Sequence, residues 1–167
     1  QVSEQISTAT KEASGTGNMK FMMNGALTLA TLDGANIEIK DAVGDENIVI
    51  FGIRKEEVLD YIKNKNYNSY EFYNNDFRLK YILDSLINGS LGVPSNEFID
   101  IHNSLLKNND EFFVLRDFSS YVEAQNKVDY LYRNRDNWNR MCINNVAHSG
   151  IFSSDNTIKR YYEDIWK

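Results

Sequence analysis

A chain of 167 residues, 42% of them hydrophobic, is long enough to bury one sizeable core. Its net charge of -6 argues against general nucleic-acid binding, which is built on an excess of Lys and Arg, and a mean hydropathy of -0.50 without a long apolar run argues against a membrane-spanning helix. A single Cys, at 142, and two distant His, at 102 and 148, offer neither an internal disulfide nor a metal-ligand cluster, which fits a reducing, cytoplasmic setting.

The first residue is Gln, so the expectation is a piece of a longer chain without a signal peptide. From Gln1 to Ser14 the residues are polar and small, with Val2 and Ile6 the only large apolar side chains, and this stretch reads as an extended, loop-like lead-in. After Gly17, the spacing of Met19, Met22 and Met23 predicts a short helix stopped by Gly25. The run from Ala26 to Thr31 alternates as a strand does, Asp33-Gly34 is a turn, and 35–43 suits either a strand or a helix, with helix favoured. The apolar run Asn47-Ile-Val-Ile-Phe51, closed by Gly52, has the look of a strand buried on both faces of a parallel sheet, and a helix is predicted from Lys55 to Lys63. Strand, glycine and helix in that order form a βα unit, whose ligands gather at the carboxyl ends of the strands.

The remainder reads as helical. Leu79, Ile82, Leu83 and Leu86 make one apolar stripe, ending near Gly89, and Phe98, Ile101, Leu105 and Leu106 make another after Pro94. A short strand is predicted at 112–115. Ser120 with Glu123 gives a capping-box pattern, Asp136 is expected to cap the following helix, and Ser153 or Ser154 to start the last one. That last helix carries Ile158, Tyr161, Tyr162, Ile165 and Trp166 on one wide face, which is expected to dock on a partner surface. His102 and His148 have no matching partner and are expected in the core or on the surface, and Asn-rich stretches such as 64–68 are surface loop chemistry. No internal repeat or proline-rich linker divides the chain.

The most informative segment is Glu12-Ala-Ser-Gly-Thr-Gly-Asn-Met-Lys20-Phe-Met-Met-Asn-Gly25. Gly15 and Gly17 allow amides to converge on an anion where a helix begins, and Lys20 lies about one turn further on. A phosphorylated aldehyde, held by its phosphate and bonded through its carbonyl, suits that arrangement, and pyridoxal phosphate is such a ligand. Lys20 stands where a dinucleotide fingerprint needs its third Gly, and a Walker loop would need a Gly before the lysine and a hydroxyl after it, so NAD and ATP are both disfavoured. On spacing alone, a plain helix start with a solvated lysine outweighs a covalent cofactor. Against that, Met19, Phe21, Met22 and Met23 are expected to crowd Lys20, and desolvation favours the neutral, nucleophilic amine.

Taken as residues rather than spacing, Ser3-Glu-Gln-Ile-Ser-Thr-Ala9, the segment from Glu12 to Thr28, and Thr31-Leu-Asp-Gly-Ala-Asn-Ile-Glu38 closely resemble the glycogen/starch/maltodextrin phosphorylase family around its cofactor lysine. The likeness continues more loosely through Glu46 to Gly52 and returns in Ser149 to Asp155 and Glu163 to Trp166. It departs at Thr10 and Ala30, where Gly is expected, and in the Asn-rich middle.

The resemblance implies an α/β fold: an incomplete Rossmann-like carboxy-terminal domain of GT-B type, helix-rich with few parallel strands. Residues 1–167 would be the last part of the cofactor-binding domain, with the lysine segment at 1–40 and a βα unit and helical remainder at 41–167. It implies a parent enzyme, cytoplasmic, allosteric and homodimeric, that transfers glucose from an α-1,4-glucan to inorganic phosphate and releases glucose 1-phosphate. Lys20 would hold pyridoxal 5'-phosphate as a Schiff base, an anchor in the catalytic site rather than the acid. Thr16 and Gly17 would bind the cofactor phosphate through backbone amides, and Glu12, Ser14 and Gly15 would contact the transferred glucose. No chemistry is assigned to Asp33, Asn36 or Glu38, and no metal is expected. The rest of the phosphorylase polypeptide would complete the site, so the isolated chain is expected to be inactive. The alternative is a non-catalytic interaction or assembly module that keeps the phosphate-binding motif.

Overall fold

Leu27–Thr31 is buried at all five positions, and a strand covered on both faces belongs in the middle of a parallel sheet. The computed structural model, which describes residues 1–167, places it there. In chain order the elements are β1 (Val2–Gln5), α1 (Thr16–Met23), β2 (Leu27–Thr31), α2 (Ala35–Val43), β3 (Val49–Phe51), α3 (Lys55–Asn64), α4 (Ser69–Asn75), α5 (Phe77–Ser85), α6 (Ile99–Leu105), α7 (Val114–Arg133), α8 (Arg135–His148) and α9 (Ser154–Tyr161). The sheet is parallel throughout, with order β1-β2-β3; Val2 pairs with Leu27 and Leu29 with Val49. This is a helix-rich α/β chain with a small parallel sheet. No helix is long and apolar enough to cross a membrane.

The lead-in therefore contains a strand, contrary to the loop-like reading of residues 1–14. Val-Ser-Glu-Gln has little strand propensity of its own, and the ladder with β2 supplies the stabilisation that the local residues lack. β2 in turn does not alternate between core and solvent: Thr28 is as buried as Leu27 and Leu29.

The chain divides into two compact units, residues 1–51 with 123–167, and residues 52–122. In the first, Met22 of α1, Ile39 and Val43 of α2, and Ile48 form a buried cluster on which Ala42, Ile50 and Phe152 pack. The C-terminal carbonyl of α2 is satisfied from two sides, Val43 O accepting from Asn47 Nδ2 at 2.8 Å and from Asn144 Nδ2 at 3.1 Å. α1 ends in a Schellman motif, with Gly25 N–H donating to Met22 O and Ala26 N–H to Phe21 O, both at 3.0 Å, so the helix stops where Gly25 predicts.

In the second unit, Leu79, Leu83, Leu106 and Leu115 form the apolar cluster. Beside it, Tyr67 donates its hydroxyl proton to buried Asp110 at 2.8 Å and packs edge-on against Phe113. Asp110 Oδ2 also accepts Leu115 N–H at 2.7 Å, which caps the start of α7. Two sequence expectations fail here. Residues 112–115 are no strand, because α7 has begun at Val114, and the Ser120 and Glu123 pattern lies inside that helix, where Ser120 Oγ donates to Asp117 O at 2.8 Å instead of capping. Asn134, rather than Asp136, caps α8, its side chain accepting Asn137 N–H at 3.1 Å, whereas Ser153 caps α9 as expected.

Candidate active site

Loops 6–15 and 32–34 follow β1 and β2, so α1 and α2 both start beyond the carboxyl ends of parallel strands, where an α/β sheet gathers its ligands. The two helix starts converge: a Cβ added to Gly15 would lie 2.4 Å from the Ala35 Cβ, so only glycine allows this approach.

The two N-termini are treated differently. Glu12 reaches across to α2, and its Oε2 accepts Ala35 N–H at 2.7 Å, a carboxylate set on the positive end of a helix. Its Oε1 accepts Asn18 Nδ2 at 2.8 Å. α1 carries no side-chain cap on Gly15; Ser14 Oγ makes only a long contact to Thr16 N–H, at 3.4 Å. A side chain added at Gly17 would meet nothing within 4 Å, so the space over this helix start is open. Lys20, one turn on, is exposed.

The expected apolar crowding of Lys20 is not found. Met22 turns fully into the core, Phe21 and Met23 are 50% and 57% exposed, and helix geometry sends the i+1 and i+2 side chains away from Lys20.

Glu12, Gly15, Thr16, Gly17 and Lys20 share one region of the first unit, with Ser14 joined to Thr16 by a 3.2 Å hydroxyl contact. The residues holding them escaped the sequence reading. Asp33, read as a turn residue, is buried, and its carboxylate accepts Thr10 N–H at 2.8 Å and Glu12 N–H at 3.0 Å. Asn36, to which no chemistry was assigned, is joined to Asn18 at 2.7 Å. The one local signal for Asp33 was the Asp-Gly pair itself, which also makes a turn. Thr10, standing where a Gly is expected, has φ 75, the left-handed region that favours glycine.

His148 sits exposed on α8 and His102 is half-buried on α6, in line with their expected core or surface placement. Burial pushes the Cys142 thiol up, away from the reactive thiolate. No cluster of His, Cys, Asp and Glu could hold a metal ion.

The family model for carbohydrate phosphorylases matches residues 1–167. The chain belongs to the carbohydrate phosphorylase family. It is similar to glycogen phosphorylase of Bacillus subtilis (strain 168), with 57% identity over 165 residues, 99% of this chain and 21% of that protein. Glycogen phosphorylase of Synechocystis sp. is 51% identical over 166 residues, 99% of the chain and 19% of that protein. The muscle form of Ovis aries is 49% identical, again over 99% of the chain and 20% of that protein. This carbohydrate phosphorylase chain thus spans 19–21% of the length of these curated relatives.

Proposed function

We propose that the chain is the cofactor-bearing carboxy-terminal part of a pyridoxal-phosphate-dependent α-1,4-glucan phosphorylase, which releases glucose 1-phosphate from glycogen or maltodextrin using inorganic phosphate. The supporting observation is the asymmetry of the two helix starts: Glu12 occupies α2, while α1 is left uncapped, open over Gly17, and followed by exposed Lys20. Backbone amides at Thr16 and Gly17 would take the cofactor phosphate, and Lys20 is its covalent tether. When bound, pyridoxal phosphate would supply a phosphate able to relay a proton.

Glu12, Ser14 and Gly15 line the adjoining face as the sugar contacts. Glu12 keeps acceptor capacity beyond the two N–H groups it already takes, because an ionised carboxylate offers about four lone-pair sites. A sugar hydroxyl would use one of them. The remainder of the polypeptide would extend the parallel sheet into a GT-B arrangement and bring basic groups for the substrate phosphate, as a cytoplasmic, allosteric homodimer. The isolated chain lacks those partners and is inactive in this reading.

The exposed face of Ile158, Tyr161, Tyr162, Ile165 and Trp166, all 46–69% accessible, favours a second reading, an interaction module that keeps the motif for structural reasons. Borohydride reduction after addition of pyridoxal phosphate separates the two. Labelling at Lys20, lost in Lys20→Ala, is the expected result, and an unlabelled Lys20 in the complete polypeptide favours the module. Glucose 1-phosphate formed from glycogen by residues 1–167 alone would overturn the inactivity of the isolated chain.

A further inference from the structure

We propose that Asn36, acting through Asn18, is a positioning residue that sets the orientation of Glu12; the functional consequence rests on the reading of Glu12 as a sugar contact. Both amides are essentially without solvent access, Asn36 at 0% and Asn18 at 1%, so each polar atom must find its partner inside the protein. Asn36 Nδ2 donates to the backbone oxygen of Thr31, the last residue of β2, at 3.1 Å. That carbonyl can only accept, so it fixes which end of the Asn36 amide is nitrogen.

The opposite end, Oδ1, must then accept, and it takes one N–H of Asn18 Nδ2 at 2.7 Å. Asn18 Nδ2 carries one further N–H, and this goes to Glu12 Oε1 at 2.8 Å. The polarity runs in one sense, from a sheet carbonyl through two buried amides to a carboxylate that can only accept when ionised. Reversal of either amide would set oxygen against oxygen. The other carboxylate oxygen is held by Ala35 N–H, so Glu12 is fixed at two points and its remaining lone pairs point in defined directions. A sugar hydroxyl meeting a carboxylate held in this way loses less ordering entropy than one that must first trap a mobile side chain.

The test uses the complete polypeptide with its cofactor, and compares wild type, Asn36→Asp, Asn18→Ala, Glu12→Gln and the double variant Glu12→Gln/Asn36→Asp. In Asn36→Asp an oxygen faces the Thr31 carbonyl, so the bond that fixes the Asn36 end of the relay is lost with little change of shape, while Asn18→Ala removes the bond to Glu12 itself. Cofactor content reports whether each variant has folded around its site, and Asn18→Ala serves where Asn36→Asp has not. Asn36→Asp and Asn18→Ala are each expected to lower kcat for phosphorolysis roughly tenfold or more, the scale of a lost charge-assisted hydrogen bond, while the KM for inorganic phosphate stays unchanged.

In the presence of Glu12→Gln, Asn36→Asp is expected to cost little more, because the group it orients has gone. An equal loss with and without Glu12→Gln would mean that Asn36 acts on stability alone and would overturn the proposal. So would a crystal structure of Asn36→Asp with Glu12 still on the Ala35 amide. If Glu12 is displaced there, yet Glu12→Gln itself keeps full kcat, the positioning role stands and the sugar-contact reading fails.

Discussion

The backbone N–H of Thr10 donates to Asp33 Oδ1 at 2.8 Å from a residue held at φ 75, a conformation that costs a β-branched side chain roughly 1–2 kcal/mol. Thr10→Gly keeps the hydrogen bond and removes the strain, less the extra entropy of glycine in the unfolded chain, so a net gain of about 0.5–1 kcal/mol is expected. Asp33→Ala removes the acceptor of two amides and is expected to cost about 2–3 kcal/mol. Urea unfolding measures both, and a destabilised Thr10→Gly would count against strain at this position.

Gly34 is required for a different reason. Its backbone, at φ 47 and ψ -132, lies where only glycine is comfortable, and a Cβ there would sit 1.4 Å from Glu12 Oε2. Gly34→Ala is expected to lower stability by roughly 1–3 kcal/mol and to drive Glu12 off the start of α2.

Gly17→Ala should separate stability from binding. Its added methyl meets no atom of the chain, so the unfolding midpoint should hold or rise, while cofactor retention, measured by reducible label at Lys20, should fall as the methyl fills the open space over α1. Unchanged labelling would mean that the phosphate does not sit over Gly17.

Acid pH should act through Asp76. Its bonds to Arg78, at 2.6 and 3.0 Å, hold the carboxyl down at about 2, below its ordinary 3.8. A lowered value favours the folded state above the ordinary pKa, and that contribution is lost as pH falls from 3.8 through about 2. The stability difference between wild type and Asp76→Asn should therefore be constant near neutrality and shrink in that window. A difference independent of pH would show that Asp76 acts on α5 only as a neutral-type cap.

Tyr67 is affected at the other end of the scale. Burial, then the Asp110 charge, push its hydroxyl well above the ordinary 10.0. The raised value favours the folded state below pH 10 and the contribution is lost as pH climbs beyond it, so alkaline unfolding should be steeper in wild type than in Tyr67→Phe. At neutral pH that variant leaves Asp110 with Leu115 N–H on the same oxygen and should cost about 1–3 kcal/mol.

How much of this could be read beforehand differs by element. α1 and its stop at Gly25 were legible because both the apolar spacing and the Schellman bonds involve residues a few places apart. The Ser153 cap was legible for the same reason, its partner being Asn156. β1 was not, since Val2–Gln5 forms a strand only against a partner 25 residues away. The capping box at Ser120 misled because Asp110 and Phe113 had already started α7, and a helix once begun runs through a local cap signal.

By itself the sequence determined the family, the short helix behind the glycines and the strand ahead of the Asp33-Gly34 turn. Each of these is written in neighbouring residues. The tertiary structure alone decided that Glu12 closes one helix start while the other carries no side-chain cap, and that Asp33, Asn18 and Asn36 hold the Glu12 segment. Those facts rest on hydrogen bonds spanning 6 to 23 residues, directional contacts between groups that only the folded sheet brings within 3 Å.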